Sequence, residues 1–192
     1  FAFGALNLTG GSASNGGAVF SSSPNPVVIV GSTISGNNAA GFASAGGGVY
    51  TAGSLVLALS TVSGNSATNG GGLYSRTGDM LIINSTISGN NANAGAGVWT
   101  YSGDIALGNS TVSGNMGGGG FGAFGGGLYT DNGNISIQNS TVTGNSAVSD
   151  GGRLIRPMRV LSASTNTTRP GSSRAIAAAN APDWVRWVAS WL

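Results

Sequence analysis

Ser85-Thr86-Ile87-Ser88-Gly89-Asn90 is the clearest of five copies of one six-residue phrase in this chain. The copies recur at intervals of about 25 to 30 residues, a period typical of stacked repeat proteins. Their aligned threonines are Thr33, Thr61, Thr86, Thr111 and Thr141. Self-similarity at a nearly fixed period predicts a repeat architecture for most of the chain.

A second phrase lies between the copies of the first and joins glycines to an aliphatic and an aromatic residue. Its copies span residues 16–20, 46–50, 70–74, 97–99 and 125–129. Before each threonine, aliphatic residues alternate with others, as Met80 and Ile82 do before Thr86. Because alternation at period two indicates a strand, each repeat is predicted to hold three short strands. Pairs such as Gly78-Asp79 are typical of the turns between strands.

Each repeat has an apolar side that three short strands cannot bury alone. Stacking the repeats along one axis buries that side, because equivalent aliphatic residues then form continuous inner columns. We therefore predict an all-β fold over residues 1–152, a right-handed parallel β-helix with three strands per coil and about five to six coils. Strands of successive coils should pair in parallel about 4.7–4.9 Å apart.

Two sets of asparagines flank the threonine phrase. The set that follows the threonines is Asn37, Asn65, Asn90, Asn115 and Asn145, and the set that precedes them is Asn84, Asn109 and Asn139. Stacked carboxamides can hydrogen-bond along a column, and asparagine also tolerates left-handed turns. The Asn84 set also forms Asn-x-Ser/Thr glycosylation sequons, but we interpret both sets as structural.

The repeat pattern resembles the right-handed β-helix repeats of bacterial surface proteins, including polymorphic outer-membrane proteins and autotransporter passengers. The resemblance covers residues 16–152, and Gly16-Gly17-Ala18-Val19 is similar to the Gly-Gly-Ala-Ile element of the polymorphic proteins. Pectate-lyase-like enzymes share the fold. The resemblance implies an extracellular or bacterial cell-surface location. The chain opens at Phe1 without Met, so we expect a mature or excised piece of a longer protein.

The residue types that the chain lacks limit its chemistry. It has no Cys and no His, which excludes disulfides, thiolate or imidazole metal sites and a Ser-His-Asp triad. Arg76 is the only basic residue before Arg153, so the clustered Arg or Lys of a nucleic-acid surface is missing from the repeats. No apolar run approaches the roughly 20 residues that span a bilayer, and we predict no transmembrane segment.

Residues 153–192 break the repeat and form a basic tail with three of the four tryptophans. The tail is predicted either to cap the open end of the solenoid or to form a helix, with Pro182 in its first turn and Trp184, Trp187 and Trp191 at helical spacing. A third interpretation is a sixth repeat read out of frame, since codon degeneracy permits repeat-like residues in a shifted frame.

Asp79 and Asp104 are the weak catalytic candidates, because they occupy equivalent turn positions in adjacent coils. Two stacked carboxylates could act as an acid/base pair or bind Ca²⁺. Aspartate after a turn glycine is also favoured by local hydrogen bonding alone, and we prefer that interpretation. No cofactor is otherwise predicted.

Two outward columns are the predicted binding surfaces. Since Ile34 and its equivalents point inward, the hydroxyls on either side of them should form a ladder on the outer face. That ladder comprises Thr33, Ser35, Thr61, Ser63, Thr86, Ser88, Thr111, Ser113, Thr141 and Thr143. It resembles the ice-binding face of β-solenoid antifreeze proteins, although serine replaces threonine at most second positions. Ordinary solvent-facing strands are the alternative.

The aromatic column is the second of these surfaces. Its members are Phe20, Tyr50, Tyr74, Trp99 and Tyr129. Exposed rings could stack on sugars or on a protein partner, or the rings could stack on one another. The corner loops with Phe42 and with residues 116–124 are further places for binding.

The sequence thus favours a non-catalytic secreted or cell-surface solenoid, a structural spacer or adhesin-like module for carbohydrate or a surface protein. An ice-binding protein is the first alternative, and a polysaccharide lyase or hydrolase is the second. The oligomeric state is left open.

Overall fold

The computed structural model describes residues 2–118 and 124–147. These residues form only parallel strand pairings, stacked as a β-solenoid of about five turns, and they contain no helix. The predicted all-β parallel solenoid is confirmed. The tail from residue 153 lies outside the described residues, and so do residues 119–123 of one corner loop.

Two six-stranded sheets carry one strand from every coil. Sheet 1 consists of Ala2–Gly4, Val27–Val30, Leu55–Ala58, Met80–Ile83, Ile105–Gly108 and Ile135–Gln138. Sheet 2 contains the threonines and consists of Asn7–Thr9, Thr33–Ser35, Thr61–Ser63, Thr86–Ser88, Thr111–Ser113 and Thr141–Thr143.

The remaining two sides of the coil are a short sheet and an aromatic sheet. Sheet 3 has two-residue strands, namely Ser12–Ala13, Asn38–Ala39, Asn91–Ala92, Met116–Gly117 and Ser146–Ala147, with bridges through Ser66. Sheet 4 consists of Val19–Ser21, Val49–Thr51, Leu73–Ser75, Val98–Ser102 and Leu128–Asn132. Sheet 3 was not predicted, because two residues are too few to show a period.

Aliphatic residues from sheets 1, 2 and 4 meet in one core along the axis. The predicted inner residues of the earlier coils are buried there: Val27, Ile29, Ile34, Leu55, Leu57, Val62, Met80, Ile82, Ile87, Ile105, Leu107 and Val112. In the last described coil, Ile135 is buried, Ile137 is half-buried and Val142 is 43% exposed. Equivalent residues pair directly, as Val62 does with both Ile34 and Ile87. Each buried side chain of this size contributes about 1.5–3 kcal/mol, so the core columns are the main favourable term in folding.

A ladder of buried asparagines runs along the corner between sheets 2 and 3. The Asn90 carboxamide nitrogen donates to Asn115 Oδ1 at 2.9 Å and to the Val62 carbonyl at 3.0 Å. Its own Oδ1 accepts the backbone and carboxamide N–H groups of Asn65, each at 3.0 Å. The same pattern joins Asn37 to Asn65 and Asn115 to Asn145. The predicted asparagine ladder is confirmed for this set.

The Asn84 set has a different role. Asn84, Asn109 and Asn139 are exposed and adopt left-handed φ angles of 50°, 49° and 48°. Asparagine is one of the few residues that accept this conformation at low cost. These three residues therefore turn the chain from sheet 1 into sheet 2 and take no part in the buried ladder.

Serine forms a second buried ladder that the sequence analysis did not assign. The Ser85 hydroxyl accepts the backbone N–H of Ser60 at 3.1 Å and donates to the Ile83 carbonyl at 2.8 Å. Ser60 and Ser110 repeat this arrangement one coil away on either side. The serine that opens every phrase thus satisfies backbone groups at the turn.

The first coil, residues 2–15, is a degenerate repeat. Asn7–Thr9 pairs in register with Thr33–Ser35, although the phrase there reads Leu6-Asn7-Leu8-Thr9-Gly10-Gly11. Gly11 stands where the ladder asparagine would be, and its backbone N–H donates to Asn37 Oδ1 at 2.8 Å. The ladder therefore ends at Gly11, which is consistent with the atypical terminal units of stacked repeats.

Replacing Asn90 with alanine is expected to destabilise the solenoid by about 2–4 kcal/mol, because buried groups of Asn65, Asn115 and Val62 lose their partner. Urea unfolding measures the change. The control is Asn91→Ala, since Asn91 is the exposed next residue and should cost less than about 0.5 kcal/mol. Equal effects of the two substitutions would contradict the importance of the ladder.

Candidate functional site

The hydroxyl ladder lies on the outer face of sheet 2, as predicted. Thr61 pairs with Thr33 and Thr86, and Ser63 pairs with Ser35 and Ser88, so each column stays in register from coil to coil. All ten ladder residues are exposed or half-buried. Within the described part of the chain, their side chains make no hydrogen bond to other residues. Two parallel rows of free hydroxyls therefore face solvent, spaced about 4.8 Å between coils and about 6.6–6.8 Å along each strand.

Turn glycines keep this face regular. Gly36, Gly89 and Gly114 follow their strands at φ angles of 62°, 60° and 61°. A Cβ added at these positions would meet nothing within 4 Å, so the positive φ alone explains the glycine. Because every coil leaves sheet 2 by the same turn, the hydroxyl columns cannot drift in register.

The aromatic column of sheet 4 is built by ring-to-ring contacts. Phe20 stacks on Tyr50 with ring centroids 5.1 Å apart, and Tyr50 stacks on Tyr74 at 5.3 Å. Trp99 then turns edge-on to Tyr74 at 5.3 Å. The rings thus stack on one another, which is one of the two arrangements considered from the sequence. Inner rings offer edges to solvent, whereas Phe20, 57% exposed at one end, offers a face.

Asp131 holds the far end of the aromatic column. Its Oδ2 accepts the indole N–H of Trp99 at 3.1 Å, and its Oδ1 accepts the Tyr129 hydroxyl at 2.7 Å. The bond to Trp99 joins two neighbouring coils. Trp99 makes it in the orientation in which its ring lies edge-on to Tyr74. Asp131 was not selected from the sequence, because the partner of its carboxylate is a ring one coil away.

The pKa of Tyr74 is raised from its usual value of 10.0. Burial in the column is the main cause, and the neighbouring Tyr50 adds to it, while Arg76 acts in the opposite direction. Burial disfavours the tyrosinate, so the neutral phenol is the form that suits the stacked column.

Asp79 and Asp104 are brought one coil apart, as expected from their turn positions. Asp79 Oδ1 accepts the backbone N–H of Asp104 at 2.9 Å, and Asp104 Oδ1 accepts that of Asn134 at 2.7 Å. Both carboxylates thus perform the local turn role. In residues 2–118 and 124–147, no group of three or more His, Cys, Asp or Glu side chains is placed to hold a metal ion.

Large apolar side chains are exposed on a corner loop and in the strand beside the other corner loop. Phe42 is 102% exposed and Met116 is 56% exposed, both on the side of the rod that carries sheet 3. Residues 119–123 of the second loop lie outside the described residues. The sequence indicated these loops by their extra length between repeats.

Comparison with known proteins finds no matching family model, no matching curated protein and no matching solved structure. The described segments contain no helix that is long and apolar enough to cross a membrane.

Raising the pH through the folded-state pKa of Tyr74 should destabilise the wild type relative to the Tyr74→Phe variant. A raised pKa in the folded state means that ionisation of this phenol destabilises the fold, so stability present below about pH 10 is lost as the pH rises through the folded-state pKa. Urea unfolding of the wild type and of Tyr74→Phe between pH 8 and pH 11 tests this, with tyrosinate absorbance followed in parallel. A stability difference that stays constant with pH would contradict the prediction.

Proposed function

We propose that this chain is a non-catalytic secreted or cell-surface solenoid that acts as a rigid spacer and adhesin-like binding module. The observation that carries the proposal is an exposed Phe42 on a rod whose coils are locked together by the asparagine ladder. A large apolar side chain that is fully exposed on a loop of variable length, held by a regular scaffold, favours a binding role.

Rigidity supports the spacer role. Each ladder asparagine fixes its neighbour by two hydrogen bonds, one to the backbone N–H and one to the carboxamide, as Asn115 does for Asn90. Rotation of one coil against the next would break both bonds and the pairing in all sheets. Side chains on different coils are thereby held at constant separations, which reduces the entropy lost when a partner binds.

The corner loops and the end of the aromatic column are the binding surfaces of this proposal. Phe42 lies on one corner loop, and Met116 lies in the sheet 3 strand that leads into the other corner loop. Loops that differ in length on a regular scaffold are common binding sites. The partner is a carbohydrate or a surface protein, for which an exposed ring and a flexible thioether are suitable contacts.

Adhesion of beads coated with the protein to polysaccharide-coated and protein-coated surfaces tests the binding role. Phe42→Ser with Met116→Ser should reduce bead retention about tenfold, the equivalent of about 1.4 kcal/mol of contact energy. Leu59→Ser is the matched control, because Leu59 is 55% exposed but lies outside the corner loops. Retention unchanged by the double substitution, or equally reduced by the control, would refute the proposal.

Ice binding is a second candidate function, favoured by the free hydroxyls held in register on sheet 2. Their two-dimensional spacing is set by strand geometry and is repeated without interruption from Thr33 to Thr141. Of the ten ladder positions, six are threonine and four are serine, so methyl groups are missing from much of one column.

Thermal hysteresis and ice-crystal shaping test this second function. Thr86→Tyr with Thr111→Tyr would interrupt the face and should abolish both effects, whereas Asn91→Tyr, exposed on sheet 3, should leave them unchanged. Absence of hysteresis in the wild-type protein at high concentration would eliminate ice binding.

A further inference from the structure

Tyr50 and Tyr74 are stacked neighbours in the aromatic column of sheet 4. The two residues pair directly in the parallel register, and their ring centroids lie 5.3 Å apart with an angle of 16° between the ring planes. The buried residues on either side of each tyrosine pair in the same register, so the two strands stay one spacing, about 4.8 Å, apart. Two phenol rings from successive coils are thus held face to face.

No other pair of tyrosines in the described residues has this arrangement. The chain has four tyrosines, and the other two are Tyr101 and Tyr129. Tyr129 is separated from Tyr74 by the ring of Trp99, which contacts both of them. Tyr101 is 53% exposed and makes no ring contact within the described part of the chain. A reaction that joins two tyrosines of one chain therefore has one favoured pair.

Both stacked rings are accessible to a one-electron oxidant. Tyr50 and Tyr74 are half-buried, so an edge of each ring reaches solvent. Among residues 2–118 and 124–147, neither phenol hydroxyl has a hydrogen-bond partner. Each hydroxyl can therefore release its proton directly to water when its ring loses an electron.

We propose that Tyr50 and Tyr74 form an intrachain dityrosine when a peroxidase oxidises them with hydrogen peroxide. Each phenol loses one electron and its hydroxyl proton and becomes a tyrosyl radical. A carbon–carbon bond then forms between the ring carbons ortho to the two oxygens, and the hydrogen on each of these carbons moves to the phenolic oxygen. The product keeps both hydroxyls and has lost two hydrogen atoms, which reduce one hydrogen peroxide to two water molecules.

The new bond joins two coils covalently. It closes a loop from Tyr50 to Tyr74, which is one complete turn of the solenoid. A cross-link that closes such a loop stabilises a fold mainly by restricting the unfolded chain. The asparagine ladder already holds the coils together at another corner, so the dityrosine adds a second constraint on their rotation. Formation of the cross-link does not depend on the binding role proposed above.

Treatment of the full-length chain with a peroxidase and hydrogen peroxide tests the proposal. Dityrosine fluorescence should appear, and the monomer should become lighter by two hydrogen atoms. Chymotrypsin cleaves the unfolded chain at the leucines of residues 55–59, between the two tyrosines. Mass spectrometry of the digest should therefore show two peptides joined through Tyr50 and Tyr74.

Substitution by phenylalanine identifies the partners. Tyr50→Phe and Tyr74→Phe should each abolish the cross-link, because phenylalanine has no hydroxyl proton to lose and gives no tyrosyl radical. Phe20 stacks in the same column, so the substituted rings are compatible with the fold. Tyr101→Phe is the matched control, since it removes a phenol from the same sheet and should leave the cross-link unchanged. A cross-link that survives Tyr50→Phe, or that appears only in a covalent dimer, would overturn the proposal.

Urea unfolding gives a second measurement on the same samples. The cross-linked chain should unfold at a higher urea concentration than the untreated chain, because its unfolded state is restricted. Peroxidase treatment of Tyr74→Phe should leave its midpoint unchanged, which controls for oxidation of other side chains. An equal midpoint for cross-linked and untreated wild type would contradict the constraint between coils.

Discussion

Hydrogen bonding between buried carboxamides is the constraint on which the rest of this solenoid depends. A ladder asparagine such as Asn90 is fully buried, so its donors and acceptor must be satisfied by the coils on either side. The links span 28, 25, 25 and 30 residues, yet the carboxamide distances stay between 2.8 and 3.0 Å. Differences in coil length must therefore be absorbed elsewhere, and they appear at the corner loops.

The ladders also determine which parts of each coil are free for function. Inner aliphatics, ladder asparagines and turn serines are all committed to burial or hydrogen bonding within the rod. What remains is the outward side of the strands, with hydroxyls on sheet 2 and rings on sheet 4. A repeat that specifies its own stacking so fully leaves binding properties to the outer faces and to the irregular loops.

Sequence reasoning predicts those features whose signal is local or periodic. The alternation before Thr86 identifies Met80 and Ile82 as core residues, and the recurring asparagine predicts the ladder. The solenoid is predicted over residues 1–152, but the phrase of the first coil is not recognised, because Asn7 and Gly11 replace the threonine and asparagine that mark the other copies. The role of Asp131 is not predicted either, because its carboxylate accepts a hydrogen bond from the Trp99 ring one coil away. A second apolar cluster around Val56 and Leu81, separate from the core, is not predicted either, because the unbroken apolar run 55–58 shows no alternation.

Geometry of the aromatic column further restricts where a flat ligand such as a sugar ring can bind. Rings about 5 Å apart leave no space for a ligand between Phe20 and Tyr50 or between Tyr50 and Tyr74, so the inner faces are occupied by neighbouring rings. At the other end of the column, Phe124 stacks on Tyr129 with ring centroids 5.5 Å apart. A stacking ligand is therefore limited to the Phe20 end, where that ring is 57% exposed. Phe42 is not in the column and is fully exposed. Contacts at a corner loop thus require no rearrangement of the rod, whereas contacts along the column would require its rings to separate.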